Sequence, residues 1–451
     1  MLHGSGALAT VPGMEVLLLG TGSRSGWPAP GCCCASCASA ATLRLSRAPT
    51  GALVDDVLLL DPAPELPRQA AAACRTLSQV RTVLLSGAQS HPPPAALLRS
   101  WAAVGRVEVI GPPLSLEPYA ALCAGTPELQ LVGAVPGAAF RAGDHELRSM
   151  AQGNGLAWDV TDAQGRRLLY APGADEVPVD AGYGAVLLGA GSSPARLGPA
   201  LGRLRAVEAV AERTDVVVVG IGHDAGLPDV LLGRLADWGA RAVPDGTVLH
   251  VGTVLHVGGE AAGSGRGPAL RGRTLVLGGA RSGKSACAEQ LLAAAPTVTY
   301  VATGGARHDD AEWRERVAAH VSRRPATWRT VETTDVADCL RGTDGPLLVD
   351  CLGTWLTARL DQHGVWQGAS LAAVERDVAE LVAAWRGRVA PVVAVSNEVG
   401  SGVVPAAPSG RLFRDLLGRL NAVIAAESET VLLVVAGIAV PLRAPVPTSP
   451  R

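Results

Sequence analysis

Residues 273–292 read RTLVLGGARSGKSACAEQLL, and no other stretch of the chain restricts its fold as tightly. An apolar run of strand length, a glycine-rich turn and a helical pattern follow one another directly, the setting in which G-x-x-x-x-G-K-[ST] works as a phosphate-binding loop. The loop comprises Gly278, Gly279, Ala280, Arg281, Ser282, Gly283, Lys284 and Ser285. Its glycines let backbone N–H groups turn toward phosphate oxygens, and the helix N-terminus adds a favourable dipole. Lys284 is expected to reach the β and γ phosphates and the Ser285 hydroxyl to coordinate Mg2+. Lys284 is also the only lysine among 451 residues, and the rest of the 39 basic residues are arginine. A background that favours arginine has kept an ammonium here, because a compact charge fits inside the loop and a broad planar guanidinium does not.

Downstream of the loop, expected strands at 274–277, 297–301, 346–350, 391–396 and 430–435 accompany helices at 285–295 and 309–322. Alternation of this kind implies a mainly parallel sheet with helices on both faces, the α/β architecture of phosphate-loop nucleoside triphosphatases. The metal's water shell needs an acid at the C-terminal end of a neighbouring strand, and Asp350 closes the apolar run 347–350. A strand-ending Asp that caps a turn is the plainer alternative. Upstream, short apolar runs at 16–19, 57–60, 83–85, 107–110, 168–170, 186–188 and 216–219 read as buried strands, with helical patterns at 65–77 and 197–212. Hydrophobic periodicity stops at GGEAAGSGRGPALRG, residues 258–272. The expected organisation is a domain at 14–257, a linker at 258–272 and a second domain at 273–445.

Composition excludes several partners. With a formal net charge of −2 and 3% aromatic residues, the chain has neither a basic field nor stacking platforms for nucleic acid. The longest apolar run, 431–442, is short of the ~20 residues of a membrane helix. The N-terminus lacks a basic segment followed by an apolar one, and Met14 is an alternative start. A soluble, cytoplasmic chain with no membrane insertion is expected, and its nine cysteines are expected to be reduced rather than disulfide-linked.

Six blocks carry a resemblance: GGARSGKS at 278–285, TYVATGG at 299–305, EWRERVAAHVSRRPATWRTVE at 312–332, LLVDCLGTWLT at 347–357, SNEVGSGVVP at 396–405 and GRLFRDLLGRLN at 410–421. Together, and in this order, they resemble the bifunctional adenosylcobinamide kinase / adenosylcobinamide-phosphate guanylyltransferase family of cobalamin biosynthesis. The resemblance implies two steps. A nucleoside triphosphate, ATP or GTP, phosphorylates the aminopropanol hydroxyl of adenosylcobinamide. A histidine then takes GMP from GTP and passes it to adenosylcobinamide phosphate, giving adenosylcobinamide-GDP. That histidine maps onto His320, and a neutral imidazole is a competent nucleophile at neutral pH. The residues alone also allow His320 to be a helix C-terminal cap. Arg323 and Arg324 are expected to neutralise phosphate charge, or else form a solvated pair. Glu332 is expected near the guanine nucleotide, and Ala302, Thr303 and Gly304 follow the second strand where phosphate ligands sit. Asn397 and Glu398 end another strand at the same sheet edge. The family implies a homo-oligomer, a trimer. A scaffold that binds GTP without turnover is the other reading, and a switch GTPase ranks below it because its guanine-specifying N-K-x-D would need a second lysine.

The upstream half has its own glycine turn, Leu19-Gly20-Thr21-Gly22-Ser23, and the cluster Gly31-Cys32-Cys33-Cys34-Ala35-Ser36-Cys37. With its many short strands it resembles the metallo-β-lactamase fold, an αββα sandwich, in the branch that includes phosphonate-pathway cyclic phosphodiesterases. Where that fold carries H-x-H-x-D-H, this chain reads LLSGAQSHP at 84–92, and Pro172 and Gly173 fall about where a bridging Asp is expected. Gly offers no side-chain ligand and Gln a poor one, so a dinuclear metal site is not expected. Cys32, Cys34 and Cys37 form C-x-C-x-x-C, and the resemblance adds His223, the second position of a late H-x-x-H whose first is Gly220. They form either a structural Zn2+ site or a set of free cysteines beside a core histidine.

Overall fold

Short apolar runs become strands throughout the computed structural model, which describes residues 13–87, 94–173, 175, 177–179, 182–191, 194–252, 272–304 and 324–443. The chain divides into two units, Met1–Gly267 and Pro268–Arg451. Except for Gly272, the expected linker lies outside the described residues, as does the expected helix at 309–322. No helix among the described residues is long and apolar enough to cross a membrane.

Among these residues the first unit is built from two sheets. One contains β1 (Met14–Gly20), β2 (Gly51–Val54), β3 (Leu58–Leu60), β4 (Thr82–Leu84), β5 (Val107–Gly111) and β6 (Leu129–Gly133). The other contains β7 (Ala139–Ala142), β8 (His145–Gln152), β9 (Gly155–Thr161), β10 (Arg167–Ala171), β11 (Ala185–Gly189) and β12 (Asp215–Val219). A last strand, β13 (Val248–Val251), returns to the first sheet, giving the orders β13-β1-β2-β3-β4-β5-β6 and β12-β11-β10-β9-β8-β7.

Successive side chains on a strand point to opposite faces, and the burial pattern follows that rule. Val16, Leu18, Leu58 and Leu60 of the first sheet meet Leu156, Trp158, Leu168 and Tyr170 of the second in one core cluster. Their neighbours Leu17, Leu19 and Leu59 face outward, onto Leu66, Leu98 and Trp101 of the helices Leu66–Ala72 and Ala95–Ala102. Beyond the second sheet, β11 and β12 pair in parallel and are joined through the helix Leu197–Ala206, a crossover that must lie on that sheet's other face. The layers are therefore α, β, β, α, as the metallo-β-lactamase resemblance implies. The antiparallel strands β7, β8 and β9 and the helices Ala35–Thr42, Ala95–Ala102 and Pro228–Asp237 go beyond the sequence expectation.

The second unit holds β14 (Arg273–Gly278), β15 (Thr299–Ala302), β16 (Arg329–Glu332), β17 (Leu347–Asp350), β18 (Val392–Asn397), β19 (Thr430–Val435) and β20 (Ile438–Arg443), in the order β16-β15-β17-β18-β14-β19-β20. All neighbours pair in parallel except β19 and β20. Leu275, Leu277, Val301, Leu347 and Val349 face Trp355, Leu356, Trp385, Leu420 and Ile424 of covering helices. Their alternates Val276, Tyr300, Leu348 and Val393 face Ala288 and Leu292 of the helix Lys284–Leu292. Fully burying a side chain of this size stabilises the fold by about 1.5–3 kcal/mol. The apolar run 431–442 is not one element. It is a hairpin turned at Ala436 and Gly437, which have φ of 51° and 80°.

One buried histidine of the first unit is paired with a carboxylate. His145 is 5% exposed, with Nε2 2.8 Å from Asp55 Oδ2 and Nδ1 3.3 Å from the Ala142 carbonyl oxygen. Both partners are acceptors, so the doubly protonated imidazolium is the form that fits. The hydrogen bond to Asp55 raises the His145 pKa against the opposing effect of burial. A pKa raised by folding contributes stability fully below the unfolded value of about 6.5 and loses it as pH rises through the higher folded value. The melting temperature of the first unit should therefore fall as pH rises above about 6.5, and His145→Gln should flatten that slope in a thermal-melt pH series.

Candidate functional site

The phosphate loop joins β14 to the helix Lys284–Leu292 through backbone that only certain residues tolerate. Gly283 has φ of 95°, in the region glycine favours. A Cβ on Gly278 would stand 2.7 Å from the Val434 carbonyl oxygen, so that position has no room for a side chain. No side chain caps the helix, which leaves its first-turn N–H groups to an incoming acceptor. Lys284 Nζ folds back over the loop and donates to the Gly279 carbonyl at 3.1 Å, while the Gly437 N–H holds the Ser282 carbonyl at 2.8 Å from the β19–β20 turn. The Ser282 hydroxyl oxygen is buried with no protein partner. Donors gathered in a turn of this shape suit a polyphosphate.

Parallel register brings the other candidates to the same edge. Gly278 pairs with Asn397, and Ala302 pairs with both Asp350 and Glu332. Asp350 is not on the strand next to the loop, as the sequence reading had it. β18 lies between β14 and β17. With strands about 4.8 Å apart, the carboxylate's strand is roughly 10 Å from β14. The intervening strand ends in Asn397, and its continuation Glu398 donates its N–H to the Gly278 carbonyl at 3.1 Å and accepts from the Gly400 N–H at 2.8 Å. Glu332 ends β16 and is exposed.

Thr303 departs from its expected place among phosphate ligands. It is 1% exposed, and its hydroxyl donates to the Cys351 carbonyl at 2.7 Å, pairs with Thr354 Oγ1 at 2.7 Å and accepts from the Cys351 N–H at 3.0 Å. It braces the end of β15 against the turn after β17. Cys351 is held neutral, since burial raises its thiol pKa. Arg324 lies with its guanidinium carbon 3.3 Å from the centre of the Tyr300 ring, and the Tyr300 hydroxyl donates to Asp350 Oδ2 at 2.6 Å. Burial raises the Tyr300 pKa, so the hydroxyl remains a donor. Sequence reasoning missed Tyr300 and Thr354, because both sit in apolar surroundings where a core role explains them equally well. His320 and Arg323 lie outside the described residues, and Ala302 and Gly304 flank Thr303 at the end of β15.

Ser285, in the first helical turn, and Asp350 are both oxygen donors, the type that Mg2+ takes while keeping most of its water shell. By donor type the two residues suit that ion.

In the first unit, residues nearly 200 positions apart come together. Cys34 caps the helix Ala35–Thr42, its sulfur accepting the Cys37 N–H at 3.5 Å, and the Ala29 N–H donates to Cys37 Sγ at 3.3 Å. The Ser36 hydroxyl accepts from Trp27 Nε1 and donates to the Gly226 carbonyl, fastening this helix to the turn His223–Ala225. Cys32 Sγ then lies 3.2 Å from His223 Nδ1, and one ligand atom from each of Cys32, Cys34, Cys37 and His223 falls within 4.8 Å of the others. Sulfurs at about 2.3 Å from a tetrahedral Zn2+ stand about 3.8 Å apart, so the set fits that ion. Backbone N–H donation lowers the Cys34 pKa to about 7, while burial raises that of Cys37.

No second metal cluster of three or more such residues occurs among the described residues. Gln89 and His91 lie outside them. Gly173 and Gly220 instead line a cavity of about 830 Å3 with Asp61, Ser86, Tyr170 and His223. Asp61 is engaged there by the Ser86 N–H at 2.8 Å, by the Ser86 hydroxyl and by the Tyr170 hydroxyl at 2.9 Å.

Comparison with known proteins bears on the two units differently. The first covers all of the Zn2+-bound PqqB of Methylobacterium extorquens at 16% identity and a TM-score of 0.42, 53% of this chain being aligned. It likewise covers 96% of a diphosphatase of the PhnP family at 15% identity and a TM-score of 0.41, with 52% of this chain aligned. In the second unit, residues 274–442 match the family described as cobinamide kinase / cobinamide phosphate guanyltransferase. The chain is 40% identical over 180 residues to the bifunctional adenosylcobalamin biosynthesis protein CobU of Salmonella typhimurium, covering 98% of that protein and 38% of this one. It is 42% identical over 179 residues to the bifunctional adenosylcobalamin biosynthesis protein CobP of Pseudomonas aeruginosa, covering 97% of that protein and 38% of this one. With a loop built for polyphosphate and near-complete coverage of these relatives, the chain belongs to the cobinamide kinase / cobinamide phosphate guanyltransferase family.

Proposed function

We propose that the second unit phosphorylates adenosylcobinamide and then transfers GMP from GTP to adenosylcobinamide phosphate through a guanylylated His320. The observation that carries this reading is the uncapped, glycine-built loop at Gly278–Ser285, within a region that spans nearly the whole of two bifunctional relatives. In the first step the corrinoid's hydroxyl oxygen attacks the γ-phosphorus and the nucleoside diphosphate leaves. Lys284 and the loop N–H groups hold the β and γ phosphates in position. In the second, an imidazole nitrogen of His320 bonds to the α-phosphorus of GTP while pyrophosphate leaves with the electron pair of the broken P–O bond. A phosphate oxygen of adenosylcobinamide phosphate then displaces the imidazole. Ser285 and Asp350 would hold Mg2+, which when bound neutralises charge on the phosphates. Arg323 and Arg324 would serve the same charge from the protein side. Glu332, at the open end of β16, would face the guanine nucleotide.

A scaffold that binds GTP without turnover has no use for a nucleophilic histidine, so labelling separates the two readings. Wild-type protein incubated with α-labelled GTP should retain covalent label. His320→Ala should retain none, with kinase turnover within about threefold of wild type, because the γ-phosphate step does not use the imidazole. Wild-type protein that stays unlabelled would favour the scaffold.

For the first unit we infer a closed structural zinc site on Cys32, Cys34, Cys37 and His223, within a domain that no longer hydrolyses substrates. The convergence of their four ligand atoms supports the site, and the glycines at 173 and 220 support the loss of hydrolysis. Zinc there would tie the Cys34 helix to the His223 turn and do no chemistry, since all four positions are protein ligands. Elemental analysis of purified protein should give one zinc per chain. Cys37→Ser should give close to none and lower the melting temperature of the first unit by several degrees.

A further inference from the structure

We propose that Tyr300 is a positioning residue for the nucleotide site, its hydroxyl fixing the Asp350 carboxylate and its ring seating the Arg324 guanidinium. The inference rests on the reading that Asp350 helps to hold the metal. Tyr300 lies on β15 and is 2% exposed, packed with Ala288 and Leu292 of the phosphate-loop helix and with Trp328. From that place it makes two directed contacts at once. Its hydroxyl donates to Asp350 Oδ2 at 2.6 Å, which sets the plane of the carboxylate at the end of β17. Its ring lies 3.3 Å beneath the Arg324 guanidinium carbon, while Arg324 Nη1 donates to Thr330 Oγ1 at 3.0 Å. An arginine stacked on an aromatic face and held from one side presents its remaining N–H groups in a fixed plane.

A phenylalanine would serve the apolar packing here just as well. The hydroxyl adds only the bond to Asp350, a partner that orients a metal-holding carboxylate, and the loss of such partners typically weakens metal binding 10–100-fold. One ring thereby ties together the loop helix, the acid and the Arg324 guanidinium, groups that come from three separate segments of the chain.

Two substitutions divide the contacts. Tyr300→Phe keeps the ring under Arg324 and removes the hydrogen bond to Asp350, whereas Tyr300→Leu removes both contacts. Mn2+ binding would be followed by electron paramagnetic resonance with α,β-methylene-GTP present, and metal-free binding of that nucleotide by fluorescence, with Asp350→Asn alongside. In Tyr300→Phe, Mn2+ affinity should fall about tenfold while metal-free nucleotide binding is retained. Tyr300→Leu should add a loss of metal-free nucleotide affinity of about threefold or more. Unchanged Mn2+ affinity in Tyr300→Phe, with a clear loss in Asp350→Asn, would overturn the positioning role and leave the metal reading intact. Unchanged Mn2+ affinity in Asp350→Asn would sink the metal reading and this inference with it. Loss of metal-free nucleotide binding in Tyr300→Phe would mean that the residue acts only in packing, which also overturns the proposal.

Discussion

The parallel hydrogen-bond register of the C-terminal sheet is the constraint on which the candidate site depends. Gly278 is level with Asn397, and Ala302 is level with Asp350 and Glu332, so five strands deliver their last residues to one edge. A one-residue slip in any ladder would turn that strand's buried face outward, and with clusters of apolar side chains on both faces such a slip is strongly disfavoured. Precision at the edge is thus a by-product of packing in the middle. The side chains that build the site add local corrections, such as the Thr303 hydroxyl joining the ends of β15 and β17.

The features legible in the sequence are those that leave a local trace. The strand, glycine turn and helix around Lys284 were readable because φ above zero at Gly283 and the lack of space beside Gly278 both demand glycine. Fully buried strands such as β11 and β12 were readable as continuous apolar runs. By contrast β8, HELRSMAQ, is exposed at alternate positions along much of its length and offers no such run. The hairpin at 430–443 was hidden for the opposite reason, since Ala436 and Gly437 interrupt an apolar stretch without a strong turn signal. Strand order is not a local property at all. Nothing in the residues from 347 to 350 says that β18 will lie between them and the loop, which is why Asp350 was placed one strand too close.

In the N-terminal unit a four-ligand cluster adjoins a cavity, and His223 belongs to both. The cavity is lined by Gly173, Gly220 and Ser86 together with Asp61, Tyr170 and His223, and the ligand atoms of Cys32, Cys34, Cys37 and His223 lie within 4.8 Å of one another. A metal held there would act on stability, since it would join two segments of the chain. Beside the cluster, the Asp61 carboxylate accepts from the Ser86 and Tyr170 hydroxyls.

The bond from the Gly437 N–H to the Ser282 carbonyl reaches further than its 2.8 Å suggests. In a planar trans peptide the carbonyl and the following N–H point in opposite directions. By drawing the Ser282 oxygen toward the hairpin, Gly437 turns the N–H of Gly283 the other way, away from the hairpin. A residue more than 150 positions downstream in the chain thus aims one of the N–H groups of the loop, and the C-terminal hairpin is a structural part of the cradle.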